Sequence, residues 1–167
     1  MQLGGTVVCM PRFDFETYVQ VIDKYRASVA MVVPPVALGL AKHPTVDQYD
    51  LSCLNTIVSG AAPLAPALAI AMRERFGARV LQGYGMTEIG GASHVTREDD
   101  PPDSVGVALP NVEWKVVDTQ TYDLLPSGDQ GEVWVRAPSI MEGYLNNSEA
   151  TAATVDGDGW LHTGDLG

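Results

Sequence analysis

Short runs that are apolar along their whole length, alternating with segments of helical period, constrain this fold more than any other feature. Gly5-Thr6-Val7-Val8-Cys9-Met10 stops at Pro11, and Ser28-Val29-Ala30-Met31-Val32-Val33 stops at Pro34-Pro35. Thr56-Ile57-Val58 leads into Ser59-Gly60-Ala61-Ala62-Pro63, and Arg79-Val80-Leu81 leads into Gln82-Gly83-Tyr84-Gly85-Met86-Thr87-Glu88. Between the first two runs, Asp14 is placed to cap a helix carrying Phe15, Tyr18, Val19, Ile22 and Tyr25. A second helix passes through Leu38, Leu40 and Ala41, and a third runs from Pro66 to Phe76 and stops at Gly77. Fully apolar strands alternating with helices predict an α/β fold with a mostly parallel sheet covered on both faces. Ligands of such sheets sit beyond the carboxyl ends of the strands. Both Gly60-Ala61-Ala62 and the Gln82–Glu88 stretch fall at such ends.

The pattern changes after the polar stretch Thr96-Arg97-Glu98-Asp99-Asp100-Pro101-Pro102-Asp103. Val112–Val117 and Glu132–Arg136 alternate as half-exposed strands do, and the turn-rich Leu125–Gly131 joins them. Ser148 is expected to cap a short helix near the end. Residues 1–104 therefore read as an α/β part, and residues 105–167 as a smaller β-rich part (a distorted barrel) of the same domain.

Apolar residues make up 46% of the chain and charged residues 19%, a globular balance. No apolar run approaches the roughly 20 residues that a spanning helix needs. Met1-Gln2-Leu3-Gly4-Gly5 lacks the basic and apolar regions of a signal peptide, so a cytoplasmic location is expected. The net charge of -11 repels a phosphate backbone and argues against nucleic acid as a partner. A small phosphate remains possible, because local backbone donors and a metal hold it. Cys9 and Cys53 have no metal-ligand spacing and read as buried free thiols; zinc is not indicated.

Gln82–Glu88 carries the strongest chemical signal. Tyr84 lies between Gly83 and Gly85, so little bulk blocks a flat ligand from its ring; stacking on a base is worth about 1–3 kcal/mol. The small residues Gly60-Ala61-Ala62 suit an opposite wall. The Thr87 hydroxyl can donate to a phosphate oxygen, and the Glu88 carboxylate suits Mg²⁺. Asp165, in Thr163-Gly164-Asp165, has acceptors for the paired hydroxyls of a ribose. A glycine-rich turn after a strand serves equally to close a tight connection, and Gly164-Asp165 alone reads as a turn. The residues by themselves leave both readings open. His43, His94 and His162 have no partner at triad spacing and read as structural.

Gln82–Glu88 resembles the adenine-side motif of adenylate-forming ligases. Thr56–Leu64 is similar to their preceding nucleotide loop, and Gly131–Asn147 and Asp158–Asp165 are similar to two further motifs of that family. The resemblance covers nearly the whole chain. Val32-Val33-Pro34-Pro35, Lys42-His43-Pro44 and Met86 point to the 4-coumarate–CoA ligase and luciferase-like branch. Peptide-synthetase adenylation domains usually have proline where Met86 stands.

The resemblance implies an enzyme that activates a carboxylic acid with ATP as an acyl-adenylate, then transfers it to coenzyme A. It implies Thr87 and Glu88 as catalytic residues, Glu88 as the Mg²⁺ ligand, and Tyr84 and Asp165 on adenosine. Gly60, Ala61, Ala62, Gln82, Gly83, Gly85 and Met86 complete the nucleotide contacts. Ala61, Gly83, Gly85, Gly91 and Ala92, with Gly90, line the acyl pocket, and their small size leaves room for an aromatic or bulky acid.

The family's phosphate loop is not found before Gly60, and its small C-terminal domain with the adenylation lysine would follow Gly167. The chain thus reads as the central part of the large N-terminal domain, without its other parts, with exposed sheet edges and no thioester-forming activity alone. The alternatives are a non-catalytic nucleotide-binding remnant or interaction module, and a piece of a peptide-synthetase adenylation domain.

Overall fold

The computed structural model describes residues 4–101 and 103–167. Met1, Gln2 and Leu3, read above for the absence of a leader, and Pro102 of the polar stretch lie outside the described residues. The chain divides into two units: the described residues up to Gln82 with Thr96–Ser104, and Gly83–Val95 with Val105–Gly167.

In the first unit, α1 (Phe15–Tyr25) starts where Asp14 Oδ1 accepts a hydrogen bond from Thr17 N at 2.8 Å, the cap expected from the sequence. That backbone bond, reinforced by the Thr17 hydroxyl, holds the Asp14 carboxyl below its ordinary range. α1 buries Val19 and Ile22 but leaves Tyr25 exposed, and it ends at Arg26 in the left-handed region (φ 51°). β1 (Val29–Val32) and β2 (Thr56–Ser59) pair in parallel, and β2 pairs in parallel with the Arg79–Gln82 half of β3 (Arg79–Met86). The intervening helices are α2 (Pro34–Lys42) and α3 (Pro66–Phe76). Each begins with proline, whose missing N–H is not needed in the first turn. Gly77 closes α3 at φ 63°. Ile22, Leu40, Ile57 and Met72 are fully buried in this core, each worth about 1.5–3 kcal/mol over an exposed position.

Three expectations fail here. Gly5–Met10 is not a strand; Thr6–Cys9 are exposed with no regular structure. An apolar run becomes a strand only where a neighbour supplies the ladder bonds, and local sequence does not report that neighbour. β1 is covered on one face only: Ala30 and Val32 are buried, while Met31 is 71% exposed beside an exposed Val29. Cys9 is exposed and Cys53 half-buried, both free, so neither is a buried thiol.

In the second unit, the Gly83–Met86 half of β3 pairs antiparallel with β4 (Gly91–Val95), with a bulge between Tyr84 and Gly85. β4 pairs antiparallel with β5 (Val107–Ala108). β6 (Glu113–Val117), β7 (Glu132–Arg136) and β8 (Leu161–Leu166) form a separate antiparallel sheet in that order. Ile89, Val135 and Leu161 centre its core. The short helix α4 (Ser148–Thr154) is capped by Asn147, whose side chain accepts from Ala150 N at 3.0 Å. Ser148 is thus the first helical residue, not the cap; both residue types cap well, so sequence does not separate them. The fold class is as the sequence indicates: parallel strands with helices, then a smaller antiparallel section.

Candidate functional site

The residues singled out in the second unit come together through non-local pairs. Tyr84 sits on β3 and is the cross-strand partner of His94 on β4, with ring centroids 5.9 Å apart. His94 is only 4% exposed and lies edge-on to Trp114 at 5.5 Å, so an aromatic layer backs the tyrosine ring. Burial pushes the His94 pKa down. The Tyr84 hydroxyl donates to Asp165 Oδ2 at 2.7 Å, joining residues far apart in the chain. Burial first, with the Asp165 bond adding, pushes the Tyr84 hydroxyl up to about 12, so it stays a donor at neutral pH.

Asp165 lies on β8 rather than in a turn. Its N–H donates to Thr163 Oγ1 at 3.1 Å, and Thr163 Oγ1 donates to Val133 O on β7 at 2.6 Å. Gly164, at φ 73°, donates to Glu132 Oε1 at 2.9 Å. The carboxylate that the sequence places near a chain end is therefore held by a sheet.

Thr87 and Glu88 open a 3₁₀ turn (Thr87–Ile89) directly after β3, ended by Gly90 at φ 80°. Thr87 is exposed. Glu88 Oε1 accepts from the Tyr144 hydroxyl at 2.8 Å, and Glu88 O accepts from Met141 N at 2.8 Å. The Glu88 bond raises the Tyr144 pKa. Met86 packs its partly buried side chain against the Ile89–Val135–Leu161 core.

Glycines of the motif differ in the space around them. A Cβ on Gly85 would stand 2.0 Å from Gly91 O and 2.6 Å from Ala92 Cα, so β4 itself requires glycine there. A Cβ on Gly83 would meet only His94 O at 3.8 Å, and one on Gly91 would meet nothing within 4 Å, although Gly91 sits at φ 132°.

In the first unit, Gly60, Ala61 and Ala62 follow β2. Ala61 takes φ 67°, a left-handed conformation that costs an L-residue about 1–2 kcal/mol. Such strain is concentrated at functional turns. Gln82 Oε1 accepts from Leu64 N at 2.9 Å and so ties down the far end of this turn. Gln82 N donates to Thr96 Oγ1 at 2.7 Å.

Three features are not legible in the sequence: the role of Tyr144, within the Gly131–Asn147 motif; the His94–Trp114 backing; and the setting of His162. The His162 ring stacks on Trp134 at 3.6 Å, and its Nε2 is 3.4 Å from Asp156 Oδ2. Burial opposes ionisation of Asp156, but bonds from Trp160 N, His162 and Asp158 N hold its pKa low. His43 caps the Pro44–Gln48 turn by accepting from Thr45 N at 3.2 Å.

The donor set suits Mg²⁺. Among the described residues no cluster of three or more His, Cys, Asp or Glu forms a metal cage. A single carboxylate beside a hydroxyl is what Mg²⁺ uses when substrate phosphates supply its other ligands.

Comparison with known proteins identifies the family. The profile of the family described as AMP-binding enzyme matches residues 1–145. A 4-coumarate–CoA ligase of Pinus taeda is 43% identical over 173 residues, covering 99% of this chain and 32% of that protein. The amide bond synthetase McbA of Marinactinospora thermotolerans superposes with a TM-score of 0.86 at 39% identity, over 98% of this chain and 34% of its own. The anthranilate CoA ligase AuaEII, in complex with anthranoyl-AMP, superposes with a TM-score of 0.89 at 29% identity, over 98% of this chain and 32% of its own. The chain spans 32% of the length of the Pinus taeda and Petroselinum crispum ligases that it matches. No helix among the described residues is long and apolar enough to cross a membrane.

Proposed function

The chain belongs to the AMP-binding enzyme family, and from that premise we propose that the protein is a cytoplasmic, ATP-dependent acyl- or aryl-CoA ligase of the 4-coumarate type. A carboxylate oxygen attacks the α-phosphorus of ATP, the α–β phosphoanhydride bond breaks, and pyrophosphate leaves. The thiol of coenzyme A then attacks the acyl carbonyl and expels AMP. The observation that carries this reading is the Tyr84–Asp165 hydrogen bond at 2.7 Å, which sets an aromatic face and a diol-binding carboxylate side by side.

In the second unit, the Tyr84 ring stacks on adenine and Asp165 accepts from the ribose hydroxyls. The Thr87 hydroxyl donates to an α-phosphate oxygen, where negative charge builds during attack. Glu88 would hold Mg²⁺, which when bound would supply positive charge against the phosphates. Gly83, Gly85 and Met86 offer main chain to the nucleotide. Gly83, Gly91 and Ala92 border the acyl group, Gly85 through its main chain only. In the first unit, Gly60, Ala61 and Ala62 form a strained, small-residue turn of a shape suited to nucleotide and acyl contact, and Gln82 fixes its far end. The substrate class is an aromatic or bulky carboxylic acid.

An amine in place of the thiol is a second reading, supported by the 39% identity to the amide bond synthetase. Carboxylate-dependent exchange of labelled pyrophosphate into ATP by the complete protein tests the first step. AMP release on adding coenzyme A or an amine then tests the second. Formation of ADP instead of AMP, or exchange that needs no carboxylic acid, overturns the reading.

A further inference from the structure

We propose that Tyr144 is a positioning residue that orients the Glu88 carboxylate toward the metal of the bound nucleotide, an inference that rests on reading Glu88 as the Mg²⁺ ligand. Glu88 is gripped twice by one short segment. Its main-chain oxygen accepts from Met141 N at 2.8 Å, and its Oε1 accepts from the Tyr144 hydroxyl at 2.8 Å. With Oε1 engaged, Oε2 is the oxygen left to face a cation. A carboxylate ligand needs such an outer partner, because one bond removes the side chain's rotational freedom and fixes which lone pairs point outward.

The segment that carries the phenol is built to stay in place. Tyr144 N donates to Thr151 Oγ1 at 2.9 Å, and the same hydroxyl donates to Asn147 O at 2.9 Å. Asn147 N donates back to Tyr144 O at 3.1 Å, while the Asn147 side chain caps α4. Gly143, at φ 151°, leaves no room for a side chain: a Cβ there would stand 2.8 Å from Thr151. On the other side, a Cβ on Gly90 would stand 2.8 Å from Ser139 O. The stretch around Tyr144 therefore packs directly on the Thr87–Ile89 turn. Tyr144 itself is 37% exposed, so burying an apolar ring does not account for its position.

The test measures how much Mg²⁺ improves ATP binding, by calorimetry on the complete protein with ATP in EDTA and in excess Mg²⁺. Wild type, Tyr144→Phe, Glu88→Gln and the double variant are compared. In Tyr144→Phe the metal-dependent gain is expected to fall by about tenfold, or to vanish if it is smaller, while metal-free ATP affinity is unchanged. The double variant is expected to match Glu88→Gln. A Tyr144→Phe protein with the wild-type gain overturns the proposal and leaves Glu88 as a ligand. An equal further loss when Tyr144→Phe is added to Glu88→Gln also overturns it, because the phenol then acts elsewhere. If Glu88→Gln keeps the wild-type gain, the metal reading of Glu88 fails and this proposal fails with it. A lowered metal-free affinity in Tyr144→Phe marks a merely structural role and counts against positioning.

Discussion

Tyr84 allows the nucleotide reading to be tested in two separable parts, because its ring and its hydroxyl make different contacts. Tyr84→Leu removes the ring face proposed for adenine. Base stacking on an aromatic side chain is worth about 1–3 kcal/mol, which at about 1.4 kcal/mol per tenfold weakens ATP binding by about 5- to 140-fold. Tyr84→Phe keeps the ring, its His94 backing at 5.9 Å, and the strand register. It loses the 2.7 Å bond to Asp165, along with the hydroxyl's interaction with Thr163. A hydrogen bond to a charged group contributes about 1.5–3 kcal/mol when shielded. Asp165 is exposed, so about 0.5–1.5 kcal/mol is the fairer figure after solvent screening. That loss should fall on ribose recognition, cutting the preference for ATP over 2′-deoxy-ATP by about two- to tenfold. Calorimetric affinities for the two nucleotides, measured on the complete protein, read both effects. A Leu variant that binds ATP as wild type does refutes the stacking role. A Phe variant with an unchanged ATP to 2′-deoxy-ATP ratio refutes the coupling of Tyr84 to the ribose carboxylate.

Gly85→Ala puts a Cβ into two backbone atoms of β4 that cannot move aside, and should cost about 3 kcal/mol or more, whereas Gly83→Ala should be nearly neutral; thermal melts compare them. Burial depresses the His94 pKa below 6.5. The unfolded chain therefore binds that proton more readily, and stability should fall as pH drops through and below about 6.5. His94→Phe should flatten this acid slope, as seen by melting temperature against pH; an unaltered slope removes His94 as its source. Thr87→Val should slow pyrophosphate release with the melt unchanged, since Thr87 is exposed; the loss of one charge-directed donor is worth about 10²–10³ in rate.

Most of the first unit was legible because its signals are local. The Asp14 cap, the prolines opening α2 and α3, and Gly77 closing α3 each act within one helical turn. The strands of the second unit that were recognised, β6 and β7, alternate in polarity. What escaped depends on partners distant in sequence. The apolar run before Pro11 has strand composition but no ladder partner among the described residues. β8 reads as a turn because Gly164-Asp165 looks like one, yet its pairing with β7 makes it a strand. β4 is short and polar, and only its register against β3 reveals it. Tyr144 carried no signal of its own, since nothing local marks a phenol that reaches a carboxylate 56 residues earlier.

The Gln82–Met86 part of the motif, which reads as a turn after a strand, lies within β3, and this changes what its glycines mean. Composition allows these glycines either to open space for a flat ligand or to close a tight connection. The geometry divides them. Gly85 is closed by β4, and Gly90 by Ser139, so both are glycine because backbone approaches backbone. Gly83 alone, among those on β3, has room beside it. Ladder bonds then fix the Cα of Tyr84 more tightly than a loop would, and the Thr87–Ile89 turn inherits that placement at the strand's end. Side-chain volume at Gly83 is therefore the cleanest probe of ligand space: a larger residue there should weaken ligand binding before it disturbs the strand, whereas at Gly85 the order should reverse.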